Sequence, residues 1–147
     1  MIEGVFLTHG HFDHIYGLLP ILEHFPACKI YASEFGKASL GSDKLNLSRF
    51  HDMPFNYHGD RVEVLHEGDK LSLYDEEPFM LFYETPGHDP GCLTMSLGNY
   101  IFTGDAYIPG IKINTKLPYA NKEQAQQSLE RILELAEGKK ILPGHLV

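Results

Sequence analysis

Short apolar runs, each bounded by glycine, proline or charged residues, recur along most of the chain. Runs of four to six residues rich in Val, Ile, Leu, Phe and Tyr are typical of β-strands. The segments that we expect to be strands are GVFLT, KIYAS, RVEVL, KLSLY, FMLFYE, CLTMSL, YIFTG and the start of KKILPGH. Gly98 and Asn99 alone separate CLTMSL from YIFTG, which predicts a hairpin. HEGD and DEEP are predicted to be turns between strands.

Two segments have the spacing of helices. GLLPILEHFP carries Pro20 near its first turn and Pro26 at its end, which predicts a short helix. Asn121 can cap a second helix, with Gln124 three residues later, and Gly138 can end it. The residues of this helix that lie at helical spacing are Ala125, Leu129, Ile132, Leu133 and Ala136.

Between these elements, residues 34–60 are rich in Gly, Ser, Asn and Asp and are predicted to be a loop with one helical turn at Glu34–Ala38. Strands with interspersed helices predict a mixed α/β (α+β) fold. A length of 147 residues suits one domain, which we place at 1–147.

Charge and cysteine content narrow the function classes. The formal net charge of −8 disfavours nucleic acid as a partner, because phosphate backbones would be repelled. Cys28 and Cys92 are too few for a disulfide framework, which suits a reducing compartment. The apolar runs are shorter than a membrane span, and no signal-peptide pattern opens the sequence. We therefore expect a cytoplasmic protein without a membrane partner.

The segment THGHFDHIYG, which follows the first predicted strand, holds four side chains that commonly bind metals. In an extended segment every second side chain points the same way, so His9 and His11 can reach one cation together. Asp13 and His14 come where the chain turns toward a helix and can serve a second position nearby. Imidazole and carboxylate ligands suit zinc, iron or manganese.

Three further candidates follow the ends of other predicted strands. His88 lies in TPGHDPG, Asp105 in IFTGDAY and His145 in ILPGH. Each alone could be an ordinary turn or surface residue, but the combination predicts one site built on loops at a sheet edge. The histidines without such a setting are interpreted as surface residues, namely His24, His51, His58 and His66.

Small residues beside these candidates have supporting roles in this prediction. Gly10, Gly87 and Gly104 are expected to allow tight backbone near the ligands. Two interpretations are open for Thr8, Thr85 and Thr103: they hold the ligating histidines by hydrogen bonds, or they simply suit strand ends. Cys92 is expected to be a packed interior thiol rather than a ligand.

The motifs THGHFDH, TPGHDPG, FTGDA and LPGH, in this order, resemble the metallo-β-lactamase-fold superfamily, with glyoxalase II-like (hydroxyacylglutathione hydrolase-like) hydrolases as the closest group. The resemblance covers nearly the whole chain and implies an αββα sandwich. The first motif begins at residue 8 and the sequence ends two residues after His145. We therefore expect the sandwich to be incomplete, without its N-terminal strands and its C-terminal end. An exposed sheet edge would then favour a homodimer.

The resemblance also implies two metal ions, expected to be zinc, with iron or manganese as alternatives. It implies that the first ion is held by His9, His11 and His88 and the second by Asp13, His14 and His145, with Asp105 bridging both. The two ions would activate a bridging hydroxide that attacks a thioester or a small ester or lactone. Asp13 and Asp105 are the implied catalytic residues, with Asp13 orienting the hydroxide and accepting its proton.

The substrate is expected to be a small molecule, and its recognition is only weakly indicated. Lys112, Lys116 and Tyr119 follow Asp105, where the family's substrate loop lies, and they could bind a carboxylate or a glutathione-like group. The same residues could form a solvated loop. The segment has no arginine, unlike the Gly-Arg-Thr-Asp-like stretch that is frequent in the glyoxalase-like group.

Two other functions are compatible with these residues. A mono-iron persulfide dioxygenase-like oxidoreductase, which resembles the same group, would use His9, His88 and Asp105. A non-catalytic metal-binding remnant would keep the ligands and lack a substrate wall.

Overall fold

A computed structural model describes residues 1–73 and 77–146. The predicted strand end at Tyr74 and the first two residues of the turn predicted at DEEP lie outside the described residues. Within the described ranges, no helix is both long and apolar enough to cross a membrane.

The first sheet contains three parallel strands, and their connections carry the first helices. The strands are β1 (Gly4–Phe6), β2 (Lys29–Ala32) and β3 (Val62–Val64), paired in the order β1-β2-β3. The helices are α1 (Phe12–Ile15), α2 (Leu18–His24) and α3 (Glu34–Leu40). A one-turn 3₁₀ helix at Ser48–Phe50 follows α3. Parallel pairing needs such crossover connections, which explains why helices separate these strands along the chain.

The second sheet contains five strands in sequence order. They are β4 (Lys70–Ser72), β5 (Phe79–Glu84), β6 (Leu93–Leu97), β7 (Tyr100–Gly104) and β8 (Lys140–Pro143). The first four are antiparallel, and the predicted hairpin at Gly98 and Asn99 joins β6 to β7. β8 is parallel to β7, and α4 (Lys122–Leu135) lies in the connection between them.

Because side chains alternate between the two faces of each strand, the two sheets pack face to face and helices cover their outer faces, which gives four layers. Ile30 and Ala32 on β2 face a core shared with the first helices, and the buried members of that core are Leu7, Ile15, Leu18, Leu22, Cys28, Ile30, Ala32, Leu40 and Phe55. Tyr31, on the opposite face, packs with Phe6 against Phe82 and the other inward side chains of β5 and β6. Ile132 of α4 packs with Cys92 and Ala106 on the outer face of the second sheet. The order helix, sheet, sheet, helix confirms the predicted αββα arrangement.

The predicted loop at 34–60 is more ordered than the sequence indicated. α3 confirms the helical turn predicted at Glu34–Ala38 and extends it to Leu40. The Ser33 side chain caps the helix by accepting a hydrogen bond from Gly36 N at 3.1 Å, and Leu40 is fully buried. The buried Asn46 side chain then donates to the carbonyls of Ser39 and Phe55, both at 2.9 Å, which closes the loop onto the helix. Tertiary burial therefore overrides a local composition typical of loops.

α4 begins as predicted, because the Asn121 side chain accepts a hydrogen bond from Gln124 N at 3.0 Å. Its buried face consists of Ala125, Ser128 and Ile132. Leu133 was expected on the apolar face but is 49% exposed. Ser128 is buried instead, because its hydroxyl donates to the Pro86 carbonyl at 2.6 Å.

An ion pair connects α4 to the second sheet and predicts a pH-dependent stability. Arg131 pairs with Glu67, and Glu67 also accepts a hydrogen bond from Glu84 N at 2.8 Å. The Arg131 guanidinium lowers the pKa of Glu67. The pair therefore stabilises the fold above the unfolded-state pKa of about 4.3, and its contribution is lost as pH falls through the folded-state pKa.

We expect Glu67→Gln to lower the unfolding free energy by about 0.5–1 kcal/mol at pH 7, which is typical of a half-exposed pair, and to have a smaller effect near pH 3. Thermal unfolding followed by circular dichroism at both pH values measures this difference. Glu137→Gln, an exposed substitution just after α4, is the matched control. An equal destabilisation at both pH values would show that the ion pair is not the cause.

Candidate metal centre

Strand direction brings the predicted ligands to one edge of the second sheet. β5, β7 and β8 run in the same direction, so the loops after their C-terminal ends meet at the same edge. His88 follows β5, Asp105 follows β7 directly, and His145 follows β8. The first sheet reaches this edge through Thr8, whose carbonyl accepts a hydrogen bond from Leu93 N at 2.7 Å.

The segment after β1 delivers four candidate ligands in succession. His9 lies beyond the strand, and His11 has extended backbone directly before α1. The four-residue helix then carries Asp13 and His14. This confirms the predicted change from extended chain to helix within the motif.

The first group of side chains consists of His9, His11 and His88, as the resemblance implied. All three are buried, and each offers a ring nitrogen within 4.8 Å of the others. His88 Nε2 and His11 Nδ1 are 3.1 Å apart. Two nitrogens bound to one tetrahedral zinc ion lie about 3.3 Å apart, so this spacing suits ligands of a single cation.

The second group consists of Asp13, His14 and His145, whose ligand atoms also lie within 4.8 Å of one another. Asp13 Oδ2 is 3.6 Å from His14 Nε2 and 3.4 Å from His145 Nε2. The side chains of Asp13 and His145 are 40% and 45% exposed, so this end of the cluster faces solvent.

Asp105 lies between the two groups. Its Oδ2 is 3.6 Å from His88 Nε2 and 3.2 Å from His145 Nε2, and its Oδ1 is 3.5 Å from His14 Nε2. One carboxylate therefore reaches a histidine of each group. This is the placement that a bridging ligand requires.

Burial and charge change the pKa values within the cluster. Burial, followed by the neighbouring histidines, lowers the pKa of His9 far below its usual value, and burial also lowers that of His88. These rings are therefore neutral near pH 7, the form that binds metals. Burial alone would lower the pKa of His14, but the Asp105 carboxylate outweighs it and the pKa is raised. Burial alone would raise the pKa of Asp105, but the rings of His14, His88 and His145 outweigh it and the pKa is lowered.

The cluster leaves buried polar atoms without partners. Among residues 1–73 and 77–146, the buried side-chain atoms without a hydrogen bond are His9 Nε2, His11 Nε2, His14 Nε2, Asp89 Oδ2 and Asp105 Oδ1. Such atoms are costly to bury unless something pairs with them. His11 Nε2 faces Asp89 Oδ2, and the remaining three belong to the predicted ligands His9, His14 and Asp105. Imidazole with carboxylate is a donor set that suits zinc. The residues present therefore fit the implied pair of cations.

Backbone contacts orient the ligand histidines. The Asn114 carbonyl accepts a hydrogen bond from His88 Nδ1 at 3.0 Å, which leaves Nε2 free to face the cluster. Of the three threonines considered, only Thr8 approaches a ligand, with its hydroxyl 3.3 Å from His9 Nδ1. Thr85 contacts Thr94, and Thr103 donates to the Tyr107 carbonyl. Asn114 was not selected from the sequence, because a carbonyl contact leaves no side-chain signal.

Asp89 is a second residue that the sequence reasoning missed. It is 1% exposed, and its Oδ2 lies 3.4 Å from His11 Nε2. Its position directly after His88 in TPGHDPG was the available signal. The four histidines assigned to the surface lie outside the two groups: His51 stacks on Phe12, His66 faces Asp69, and His24 and His58 are exposed.

A cleft of about 620 Å³ lies beside the cluster, along the segment that follows Asp105. Lys112, Lys116 and Lys122 line it together with apolar side chains that include Ile111 and Leu129. Lys112 also lines a smaller pocket that contains His88 and Asp105, so the two pockets are neighbours. Lys122, at the start of α4, was not selected from the sequence. Tyr119 does not line the cleft, and its ring lies 6.0 Å from that of Phe35.

Close backbone contacts hold the ligand loops together. Gly104 has a positive φ of 51°, and a Cβ there would lie 2.6 Å from the Thr8 side chain. A Cβ at Gly10 would lie 2.5 Å from Ser39 Cβ. These distances confirm that Gly10 and Gly104 allow tight backbone beside the ligands. Cys92 is buried in the core against Ile132, as expected.

Comparisons with known proteins agree with this geometry. A family model described as the metallo-beta-lactamase superfamily matches residues 1–145. Hydroxyacylglutathione hydrolase of Salmonella typhi is 30% identical over 149 residues, which cover 99% of this chain and 48% of the relative. The chain thus spans about half the length of the curated relatives it matches.

Solved structures share the fold. TTHA1623, crystallised in a di-iron-bound form, has a TM-score of 0.82 and 26% identity, and the match covers 100% of this chain and 71% of that one. The B3 metallo-beta-lactamase BLEG-1 has a TM-score of 0.87 and 24% identity over 99% of this chain and 70% of its own.

Proposed function

Because this chain belongs to the metallo-beta-lactamase superfamily, we propose that it is a metal-dependent hydrolase of a thioester or a small ester or lactone, with two zinc ions per chain. The observation that carries this proposal is the cluster itself. Side chains from four separate segments meet at one sheet edge, and several of their buried donor atoms have no hydrogen-bond partner within the described part of the chain. A pair of divalent cations supplies two effects to such chemistry: it lowers the pKa of a water from about 15.7 to about 7, and it polarises a carbonyl.

The residues of the chain divide the remaining work. The buried end of the cluster is closed to water and would hold the first cation; it consists of His9, His11 and His88. Asp105 joins this end to the second group, because its Oδ2 contacts both His88 and His145 and its Oδ1 contacts His14. Asp13 lies at the open end, where its exposed carboxylate can orient the attacking water and accept a proton.

A thioester is the preferred substrate class within this proposal. A thiolate leaving group needs little protonation, so the site needs no separate strong acid. The curated relatives named hydroxyacylglutathione hydrolase make S-lactoylglutathione the first probe. A small-molecule substrate would enter from the exposed side of Asp13 and His145. The predicted cytoplasmic location and homodimer stay predictions.

Elemental analysis combined with hydrolysis assays tests the proposal. We expect two zinc equivalents per chain, together with thioester hydrolysis that a chelator abolishes and added zinc restores. Lactones and a generic thioester serve as the comparison panel. Two bound metals without turnover of any substrate would indicate the non-catalytic remnant. One iron per chain with oxygen consumption on a persulfide would indicate the oxidoreductase instead.

The cleft predicts how substrate charge affects catalysis. Three lysines line it in a chain with a net charge of −8, so an anionic leaving group is expected to lie there. We expect Lys112→Ala with Lys116→Ala to raise KM for S-lactoylglutathione about tenfold or more, because charged hydrogen bonds contribute about 1.5–3 kcal/mol. KM for an uncharged thioester should not change.

Two control variants accompany this measurement. Lys70→Ala removes a lysine that lies over the Phe79 ring, outside the cleft, and should leave KM unchanged. Tyr119→Phe tests the predicted role of Tyr119 separately. An equal rise in KM for charged and uncharged substrates would contradict recognition by charge.

A further inference from the structure

Asp89 is a buried carboxylate with two different neighbours. Its Oδ1 accepts a hydrogen bond from Gly91 N at 2.8 Å. Its Oδ2 faces His11 Nε2 across 3.4 Å, and among the described residues neither of these two atoms has a hydrogen-bond partner. A shift of about half an ångström would bring them to hydrogen-bond distance.

The two nitrogens of His11 therefore have separate surroundings. Nδ1 lies 3.1 Å from His88 Nε2, inside the first ligand group, while Nε2 points to Asp89. A neutral imidazole binds a cation only through the nitrogen that carries no proton. His11 can therefore bind the first cation through Nδ1 only if its ring proton is on Nε2. There the N–H can donate a hydrogen bond to the Asp89 carboxylate.

We propose that Asp89 is a positioning residue: it holds the His11 proton on Nε2 and thereby presents the Nδ1 lone pair to the first cation. This inference rests on the proposed function, because it needs a metal at His9, His11 and His88. A ligating histidine that donates its other N–H to a carboxylate is both oriented and made a stronger ligand.

The surroundings of Asp89 fix its place. Gly91, which donates to Oδ1, accepts a hydrogen bond at its carbonyl from the Ser33 hydroxyl at 2.7 Å. Ser33 in turn caps α3 by accepting from Gly36 N. A Cβ at Gly91 would lie 2.8 Å from Ser33 Oγ, so the turn is pressed against the helix. The start of α3 therefore supports the carboxylate that faces His11.

Asp89 could instead only stabilise its own turn through Gly91, and the variant Asp89→Asn distinguishes this role from the positioning of His11. In Asp89→Asn the amide oxygen can still accept from Gly91 N, and the side chain keeps its size. The amide NH₂ would then face His11 Nε2 and donate to it, which places the ring proton on Nδ1 and blocks the metal. The variant thus preserves the turn and reverses the hydrogen bond to His11.

Zinc titration against a competing chromophoric chelator tests this difference. We expect Asp89→Asn to weaken one of the two zinc equivalents by about 10–100-fold, the range for partners of metal ligands. The melting temperature of the metal-free variant should match that of the wild type. Asp69→Asn is the matched control, because Asp69 Oδ2 similarly accepts from a backbone N–H, that of His66, and faces the His66 ring at 3.6 Å, outside the cluster.

A measurement on the wild-type protein keeps the inference testable if the variant does not fold. Nitrogen-15 NMR of the histidine rings in the zinc-loaded protein, assigned with His11→Gln, should show a proton on His11 Nε2. A proton on Nδ1, or unchanged zinc affinity in a folded Asp89→Asn variant, would overturn the inference and leave the proposed function intact. A wild-type protein that binds no zinc would contradict the proposed function, and the inference would fail with it.

Discussion

Replacing Asp105 with alanine should abolish hydrolysis and release both metal ions together. Asp105 is the residue whose carboxylate reaches a histidine of each group, through contacts of 3.2–3.6 Å with His14, His88 and His145. Without it, neither group keeps its full set of donors. Because the loss of a residue that merely supports a ligand costs about 10–100-fold in metal affinity, we expect the loss of this shared carboxylate to cost at least about a hundredfold.

Elemental analysis after dialysis, together with the thioester assay, measures the effect of Asp105→Ala. Asp60→Ala, an exposed aspartate near β3, is the control for a lost negative charge and should keep two metals. Circular dichroism of the metal-free proteins checks that the fold survives. Turnover with full metal content in Asp105→Ala would show that Asp105 does not bridge the two sites.

Gly87→Ala is expected to destabilise the whole protein, because two effects act at one position. Gly87 has φ of 139°, a conformation that residues with a side chain rarely adopt. A Cβ there would also lie 2.3 Å from the backbone of Ala125 in α4. The loop and the helix must separate, which breaks the 2.7 Å hydrogen bond from Asn121 N to the Gly87 carbonyl. Strain and overpacking together should cost about 2–6 kcal/mol.

Urea unfolding of the metal-free protein measures this loss. Gly68→Ala is the matched control, since Gly68 also has a positive φ, of 79°, but among the described residues no heavy atom beyond its two chain neighbours lies within 4 Å of the place that its methyl group would take. That variant should therefore show only the cost of backbone strain, about 1–3 kcal/mol. If the two variants lost the same stability, contact with α4 would not matter. His88 is the next residue, so Gly87→Ala should also weaken metal binding.

The parts of the site that the sequence predicted are those encoded by short segments. The strand GVFLT, the ligand spacing in THGHFDH and the strand-end positions of His88, Asp105 and His145 depend on local pattern. The resemblance to a known family then supplied the grouping into two sets, which spacing alone left open. The structure brings all of these side chains together, although their roles as ligands stay part of the proposal.

What the sequence did not predict depends on contacts between distant segments. Asp89 matters because it faces His11, whereas its position after His88 in TPGHDPG is equally typical of a turn residue. Leu133 was placed on the buried face because helical spacing cannot tell which apolar stripe is covered, whereas the hydroxyl of Ser128 reaches a carbonyl in the ligand loop. Lys122 was missed because it reaches the cleft from α4 rather than from the loop after Asp105.

The second ligand group connects metal binding to the fraying of β8. Asp13 and His14 lie near the start of the chain and His145 near its end, and β8, which precedes His145, forms the edge of its sheet. A cation held by these three side chains would link α1, which carries Asp13 and His14, to the turn after β8, which carries His145. Fraying of β8 and escape of that cation would then be a single event, so amide hydrogen exchange in β8 would report on metal occupancy.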